Sequence, residues 1–142
     1  MTYRPFATTD YDAAYALWSA AEGIGLSEAD TRDNIGRLLD HNPGLSYVAE
    51  EGGVLAGAVL CGFDGRRGYL HHLAVAPSFR RRGVGSALAR RSLDALGGLG
   101  VRKCHIFVIA DNEEGKRFWL RTGWEERNTL IIMSHDVRPP SP

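Results

Sequence analysis

Cysteine is scarce. The 142 residues contain two, Cys61 and Cys104, at no spacing that suits a metal. Both lie in apolar, strand-like runs and read as small buried hydrophobes in a reducing compartment. Long hydrophobic runs are missing as well: no stretch approaches 18 consecutive apolar residues, which leaves no candidate membrane span. The opening Met1-Thr2-Tyr3-Arg4-Pro5 has no signal-peptide pattern, so the expectation is a cytoplasmic protein with no membrane partner. Net charge is absent too. Lys plus Arg and Asp plus Glu are equal at 17 each, which gives no global pull towards nucleic acid or an anionic surface, and any basic patch must be local.

What is present is ordinary for a soluble globular chain: 44% hydrophobic and 24% charged residues. A domain of this length buries roughly 68–70% of the surface its unfolded chain exposes, enough for one real core. There is no repeat, linker or second composition. We therefore expect one domain over residues 1–136 and, with three prolines among its six residues, a disordered tail from Val137 to Pro142.

The most informative stretch runs from Tyr69 to Leu99. Tyr69 to Ala76 is apolar and partly alternating, and Pro77 ends it because proline cannot donate to a sheet ladder. Arg80-Arg81-Arg82-Gly83-Val84-Gly85-Ser86 follows. From Val84 the apolar Leu88, Ala95, Leu96 and Leu99 fall on one arc of a helical wheel, opposite Arg90 and Asp94, until Gly97-Gly98. A glycine-rich turn leading into a helix leaves backbone N–H groups unpaired at the positive end of the helix dipole, which suits a phosphate. Gly83 and Gly85 let the backbone approach such a ligand, and the arginines add charge. The pattern is neither Gly-x-Gly-x-x-Gly nor Gly-Lys-Ser/Thr.

Elsewhere the chain alternates elements. Thr2 to Phe6 reads as a strand, and Thr8-Thr9-Asp10 caps a helix in which Tyr11, Ala14, Tyr15 and Trp18 share a face. Gly23 and Gly25 break it. Ser27 to Asp30 caps a second helix carrying Thr31, Ile35 and Leu38 on one side, which Asn42-Pro43-Gly44 ends. Leu45 to Glu50 and Val54 to Cys61 form a hairpin across Glu51-Gly52-Gly53, and the loop from Gly62 to Gly68 leads into the Tyr69 strand. Lys103 to Ile109 is a further strand, Asp111-Asn112-Glu113-Glu114 starts a helix with Gly115, Phe118, Trp119 and Thr122 on one side, and Trp124 to Arg127 and Leu130 to Met133 are the last strands.

Arg80-x-x-Gly83-x-Gly85, with Val75-x-Pro77 before it and Ala87-Leu88 after it, resembles the acetyl-CoA signature of the GNAT N-acetyltransferase superfamily. Asn112 followed by Phe118-Trp119-Leu120-Arg121-Thr122-Gly123-Trp124 is similar to that family's Asn…Phe-Tyr-x-x-x-Gly-Phe segment, and the element order matches over almost the whole chain. The resemblance implies a mixed α/β (α+β) fold with a mostly antiparallel central sheet flanked by helices. It also implies transfer of an acetyl group from acetyl-CoA to a primary amine of a small molecule or peptide, by direct attack in a ternary complex, with no metal.

Carried over by position, the backbone of Leu73, Ala74 and Val75 would bond the pantetheine amides. A backbone N–H near Val75 would polarise the thioester carbonyl, a contribution of roughly 2.7–4 kcal/mol in well-studied hydrolases. Arg81, Arg82, Gly83, Val84, Gly85 and Ser86 would hold the pyrophosphate, with Arg80 near the phosphates or adenosine. Asn112 would reach the pantetheine arm, and Phe118 and Trp119 would line the thioester pocket.

Two positions depart from the family pattern. The tyrosine that often serves as general acid is Trp119, whose indole donates a hydrogen bond but has no proton to give up. The glutamate that acts as base in the histone-type branch falls at Tyr69, a poor base near neutrality. His71 and His72 are the replacements, since imidazole titrates near pH 7; alternation would put His71 on the face of Tyr69 and His72 on the other. Asp64 and Glu22 are further candidates. The two departures motivate an alternative, a non-catalytic acetyl-CoA-binding sensor or regulatory module. Zero net charge and the lack of an aromatic platform argue against nucleic acid as the partner of Arg66-Arg67 and Arg80-Arg81-Arg82. Both a monomer and a homodimer fit the sequence.

Overall fold

A computed structural model describes residues 1–138. In chain order the elements are β1 (Thr2–Pro5), a 3-10 turn (Thr8–Asp10), α1 (Tyr11–Ala20), a second 3-10 turn (Glu28–Asp30) and α2 (Arg32–His41). These are followed by β2 (Tyr47–Glu51), β3 (Val54–Phe63), β4 (Gly68–Val75), a third 3-10 turn (Pro77–Phe79), α3 (Val84–Gly98), β5 (Cys104–Ile106) and α4 (Glu113–Arg121). The sheet order is β1-β2-β3-β4-β5; the first three pairings are antiparallel and β4–β5 is parallel. This is the mixed, mostly antiparallel sheet flanked by helices that the sequence led us to expect.

Local chemistry explains most boundaries. Gly52 and Gly53, at φ of 59° and 78°, make the two-residue β2–β3 turn that residues with a Cβ resist. The Thr31 hydroxyl accepts the Asn34 N–H at 3.2 Å and opens α2. Asn112 does the same for α4, its Oδ1 accepting the Gly115 N–H at 3.0 Å.

The apolar side chains form two clusters, one on each face of the sheet. Val84, Leu88, Ala89 and Leu96 of α3 and Trp119 of α4 pack with Val59, Cys61 and Leu70. On the other face Ala14 and Trp18 of α1 and Ile35 of α2 pack with Phe6, Val48, Ala58, Leu60 and Ala74. The α3 face comes very close to the sheet: a Cβ on Gly57 would stand 2.9 Å from Leu88 Cδ1 and 3.0 Å from the Ala74 carbonyl oxygen. Cys61 lies wholly in this core and Cys104 is half-buried. Burial pushes their thiols up to about 12 and about 11, which keeps both protonated.

Three sequence expectations are corrected. The strand expected from Lys103 to Ile109 is confined to Cys104–Ile106, because its ladder with β4 ends at Leu70↔Ile106. Trp124 to Arg127 and Leu130 to Met133 are not strands. Strand character belongs to a paired, half-covered segment rather than to residue type, and Leu130, Ile131, Ile132 and Met133 are 62–86% exposed beside a β5 of three residues. On α3, Leu99 lies past the helix end and is exposed; Val84, Ala89 and Ser92 complete the buried stripe with Leu88 and Leu96. Of the expected tail, Val137 and Arg138 are exposed and residues 139–142 lie outside the described residues.

Candidate active site

β4 is the core of the candidate site because it does two things along its length. Its first three residues pair in parallel with β5, Gly68↔Cys104, Tyr69↔His105 and Leu70↔Ile106; beyond that point β4 runs on to Val75 while residues 107–109 leave the ladder. A V-shaped gap therefore opens between the two strands after Leu70. At the same place β4 bulges. Leu60 pairs with His71 and Ala58 with Ala74, so His72 and Leu73 together face Val59, and His72 takes a positive φ of 54°. A non-glycine residue in that region costs of order 1–3 kcal/mol and persists where the surroundings enforce it.

The bulge overturns the simple alternation expected for the two histidines. Their ring centroids lie 6.5 Å apart, and the His72 ring sits 5.3 Å from that of Trp18 on the α1–α2 side of the sheet. His72 Nε2 is 2.7 Å from Asp30 Oδ1. His71 lies 6.5 Å from the Phe107 ring across the V, and burial, reinforced by the neighbouring His72, holds its pKa below the usual imidazole range.

Beyond β4, Arg80 Nε donates to the Val75 carbonyl at 3.3 Å. Arg82 is held by Glu51 through two contacts, Nη2–Oε1 at 3.0 Å and Nη1–Oε2 at 3.2 Å, with its guanidinium 5.5 Å from the Phe79 ring. Arg81 is exposed at φ 62°, and Gly83, at φ 75°, opens α3 with no side-chain cap and no acidic residue in the first turn. The N–H groups of Val84, Gly85 and Ser86 thus start the helix with its positive end uncompensated. Phe118 reaches across from α4: a Cβ on Gly85 would lie 3.3 Å from Phe118 Cζ and 3.6 Å from Val75 Cγ2. Glycine at 85 keeps this cradle open.

Trp119 is 8% exposed, wedged between Phe118 and Trp124 with centroids 4.9 Å from each. Asn112 is occupied as the α4 cap, and its amide packs against Gly23 of the α1–α2 connection. The Tyr69 hydroxyl lies 3.5 Å from Asp64 Oδ2 and its ring 5.8 Å from that of His105, so it is not brought together with Asp30 and His72. Asp64 is a turn residue: its Oδ1 accepts the N–H groups of Arg66 and Arg67 at 2.8 Å each, which lowers its pKa and makes it a weak base. Glu22 belongs to the α1–α2 connection.

The sequence did not reveal Asp30 as the partner of His72. It is nearly buried, and besides His72 it binds the Ser27 N–H through Oδ2 at 3.0 Å, while its carbonyl accepts the Tyr11 hydroxyl at 2.6 Å. The Ser27-x-x-Asp30 spacing foretells the Ser27 bond. Nothing in a separation of 42 residues foretells the other.

Comparison with known proteins decides the family: the model of the Acetyltransferase (GNAT) family matches residues 11–124. The chain belongs to the GNAT acetyltransferase family. It is an acetyl-CoA-dependent acyltransferase. Among relatives of this GNAT chain, an acetyltransferase of Pectobacterium atrosepticum is 37% identical over 113 residues, 80% of this chain and 79% of that one. An acetyltransferase of Yersinia enterocolitica is 33% identical over 132 residues, 93% of each. The fold is shared with a predicted acetyltransferase of Clostridium acetobutylicum solved with acetyl-CoA, at a TM-score of 0.75, 15% identity and coverage of 94% of this chain and 95% of that one. Among the described residues no helix is long and apolar enough to cross a membrane.

Proposed function

We propose that this GNAT enzyme moves the acetyl group of acetyl-CoA to a primary amine of a small molecule or peptide by direct attack in a ternary complex. The observation that carries the reading is the course of β4, which leaves β5 at a bulge bearing two histidines and runs on to an uncompensated helix N-terminus. A phosphate-bearing thioester laid along that course would have its anionic end at α3 and its acyl end along Leu73 to Val75, beside the bulge.

Acetyl-CoA supplies an activated acyl carbon and a thiolate leaving group. The chain's own residues have four tasks. The backbone from Arg81 to Ser86 holds the pyrophosphate, since helix-opening N–H groups and an uncompensated dipole favour anions, and Arg80 stands by the phosphates. The backbone of Leu73, Ala74 and Val75 bonds the pantetheine amides, and an N–H near Val75 polarises the thioester carbonyl. Phe118, Trp119 and the Asn112 cap wall the arm, Trp119 through packing rather than proton transfer. His71 or His72 takes a proton from the amine, which must be neutral to attack and is almost wholly an ammonium near neutrality. Positioning supplies most of the rate.

The test is release of CoA thiol from acetyl-CoA in the presence of a panel of primary amines, with tertiary amines as controls. Amine-dependent release, together with the acetylated amine identified by mass spectrometry, is the expected result. Binding of acetyl-CoA with no release for any amine would favour the non-catalytic sensor.

A further inference from the structure

His72 and Asp30 come from distant parts of the chain and meet on the α1–α2 side of the V. The imidazole is carried by the β4 bulge at φ 54°, and the carboxylate by the 3-10 turn ahead of α2. Asp30 is immobilised from three directions: Oδ1 on His72 Nε2 at 2.7 Å, Oδ2 on the Ser27 N–H at 3.0 Å, and its own carbonyl on the Tyr11 hydroxyl at 2.6 Å. The Trp18 ring, wholly buried, packs 5.3 Å from the imidazole and limits its rotation. The His72 side chain keeps 18% of its surface accessible, and its Nδ1 has no hydrogen-bond partner among the described residues. One ring nitrogen is therefore anchored and the other is free, on a strand that borders the reaction cleft.

We infer that Asp30 is the positioning residue for His72 as the general base: its carboxylate accepts the Nε2–H, which fixes the tautomer whose Nδ1 lone pair takes a proton from the acceptor amine. This rests on the acetyl-transfer reading above. The ammonium gives one proton to Nδ1, and the imidazolium formed is stabilised by the Asp30 carboxylate. The amine lone pair then forms the C–N bond as the C–S bond breaks, the second nitrogen proton passes to the departing thiolate, and His72 returns its proton to water. A carboxylate that orients an imidazole and stabilises its protonated form is an established device, and replacing that carboxylate by its amide in a hydrolase triad lowers kcat by about 10⁴ through the wrong tautomer.

Asp30→Asn is nearly isosteric. Its carbonyl oxygen can still serve the Ser27 N–H, while its amide N–H would donate to Nε2 and drive the proton to Nδ1. The experiment reads the His72 tautomer by long-range ¹H–¹⁵N correlation on the full chain, together with kcat and KM for amine-dependent thiol release. The expected results are an Nε2–H tautomer in the wild type, Nδ1–H in Asp30→Asn, a fall in kcat of about 10²–10⁴ with KM for acetyl-CoA unchanged, and partial recovery in Asp30→Glu. An Asp30→Asn chain with wild-type kcat overturns the inference. If that variant does not fold, the wild-type tautomer decides, and Nδ1–H there overturns it as well. A wild type that binds acetyl-CoA yet releases no thiol with any amine contradicts the transfer reading itself and takes the inference with it. Turnover without the tautomer change contradicts the Asp30–His72 pair alone.

Discussion

His71 and His72 are adjacent in sequence and opposite in circumstance. His72 is anchored by a carboxylate. His71 is half-buried beside Phe107 with its pKa held down, by burial first and by His72 second. The folded chain thus binds fewer protons at His71 than the unfolded chain does at intermediate acidity. Its contribution to stability is complete above the unfolded value of about 6.5 and is lost as the pH falls from there through the lowered folded value. Unfolding midpoints compared at pH 5 and pH 7.5 should therefore differ more in the wild type than in His71→Gln. Equal differences in the two chains would show that His71 is not buried as described. At this scale the sequence was legible for residue type and silent on direction. His71 and His72 stood out as imidazoles without a carboxylate partner, and it took the fold to bring Asp30 to one of them.

Elements were legible where a cap or a glycine turn left a local mark. Asn112 and Gly52-Gly53 act as their chemistry suggested, whereas Ser27 caps the short 3-10 turn instead of α2, and Thr31, read as part of the α2 face, is that helix's cap. The bulge left no such mark, because its special conformation falls on a histidine and not on the glycine that would announce it. The last strands failed for the opposite reason: Leu130-Ile131-Ile132-Met133 has strand composition, but strand formation needs a paired neighbour and β5 offers three residues. The close approach of α3 to β3 was equally hidden, although Gly57 is where it shows. A methyl there would press on Leu88 Cδ1 and on the Ala74 carbonyl, which belongs to the β4 ladder and has little room to yield. Gly57→Ala should cost about 1–3 kcal/mol, seen as a fall of several degrees in Tm. An unchanged Tm would mean that α3 lies farther from the sheet.

For the whole molecule, two apolar clusters cover the two faces of one sheet, and the proposed site lies where that sheet fails to close between β4 and β5. The motif from Arg80 to Ser86 marked the opening of α3 from sequence alone, since helix-opening glycines are local chemistry. The gap itself depended on how far two strands stay paired, a property of the assembled sheet. The decisive measurement for the proposed acetyl-CoA site, the gap continued by the opening turn of α3, is thermal unfolding with and without acetyl-CoA, in the wild type and in Gly83→Glu. The variant places a bulky anion at the helix opening, and at φ 75° it should also lower the ligand-free Tm by a few degrees, since the left-handed conformation costs about 1–2 kcal/mol. Ligand at about 100 times Kd should add about 2.7 kcal/mol to the wild type, a rise of several degrees that the variant does not show. A wild type whose Tm does not move with acetyl-CoA would contradict the site and the proposed mechanism built on it.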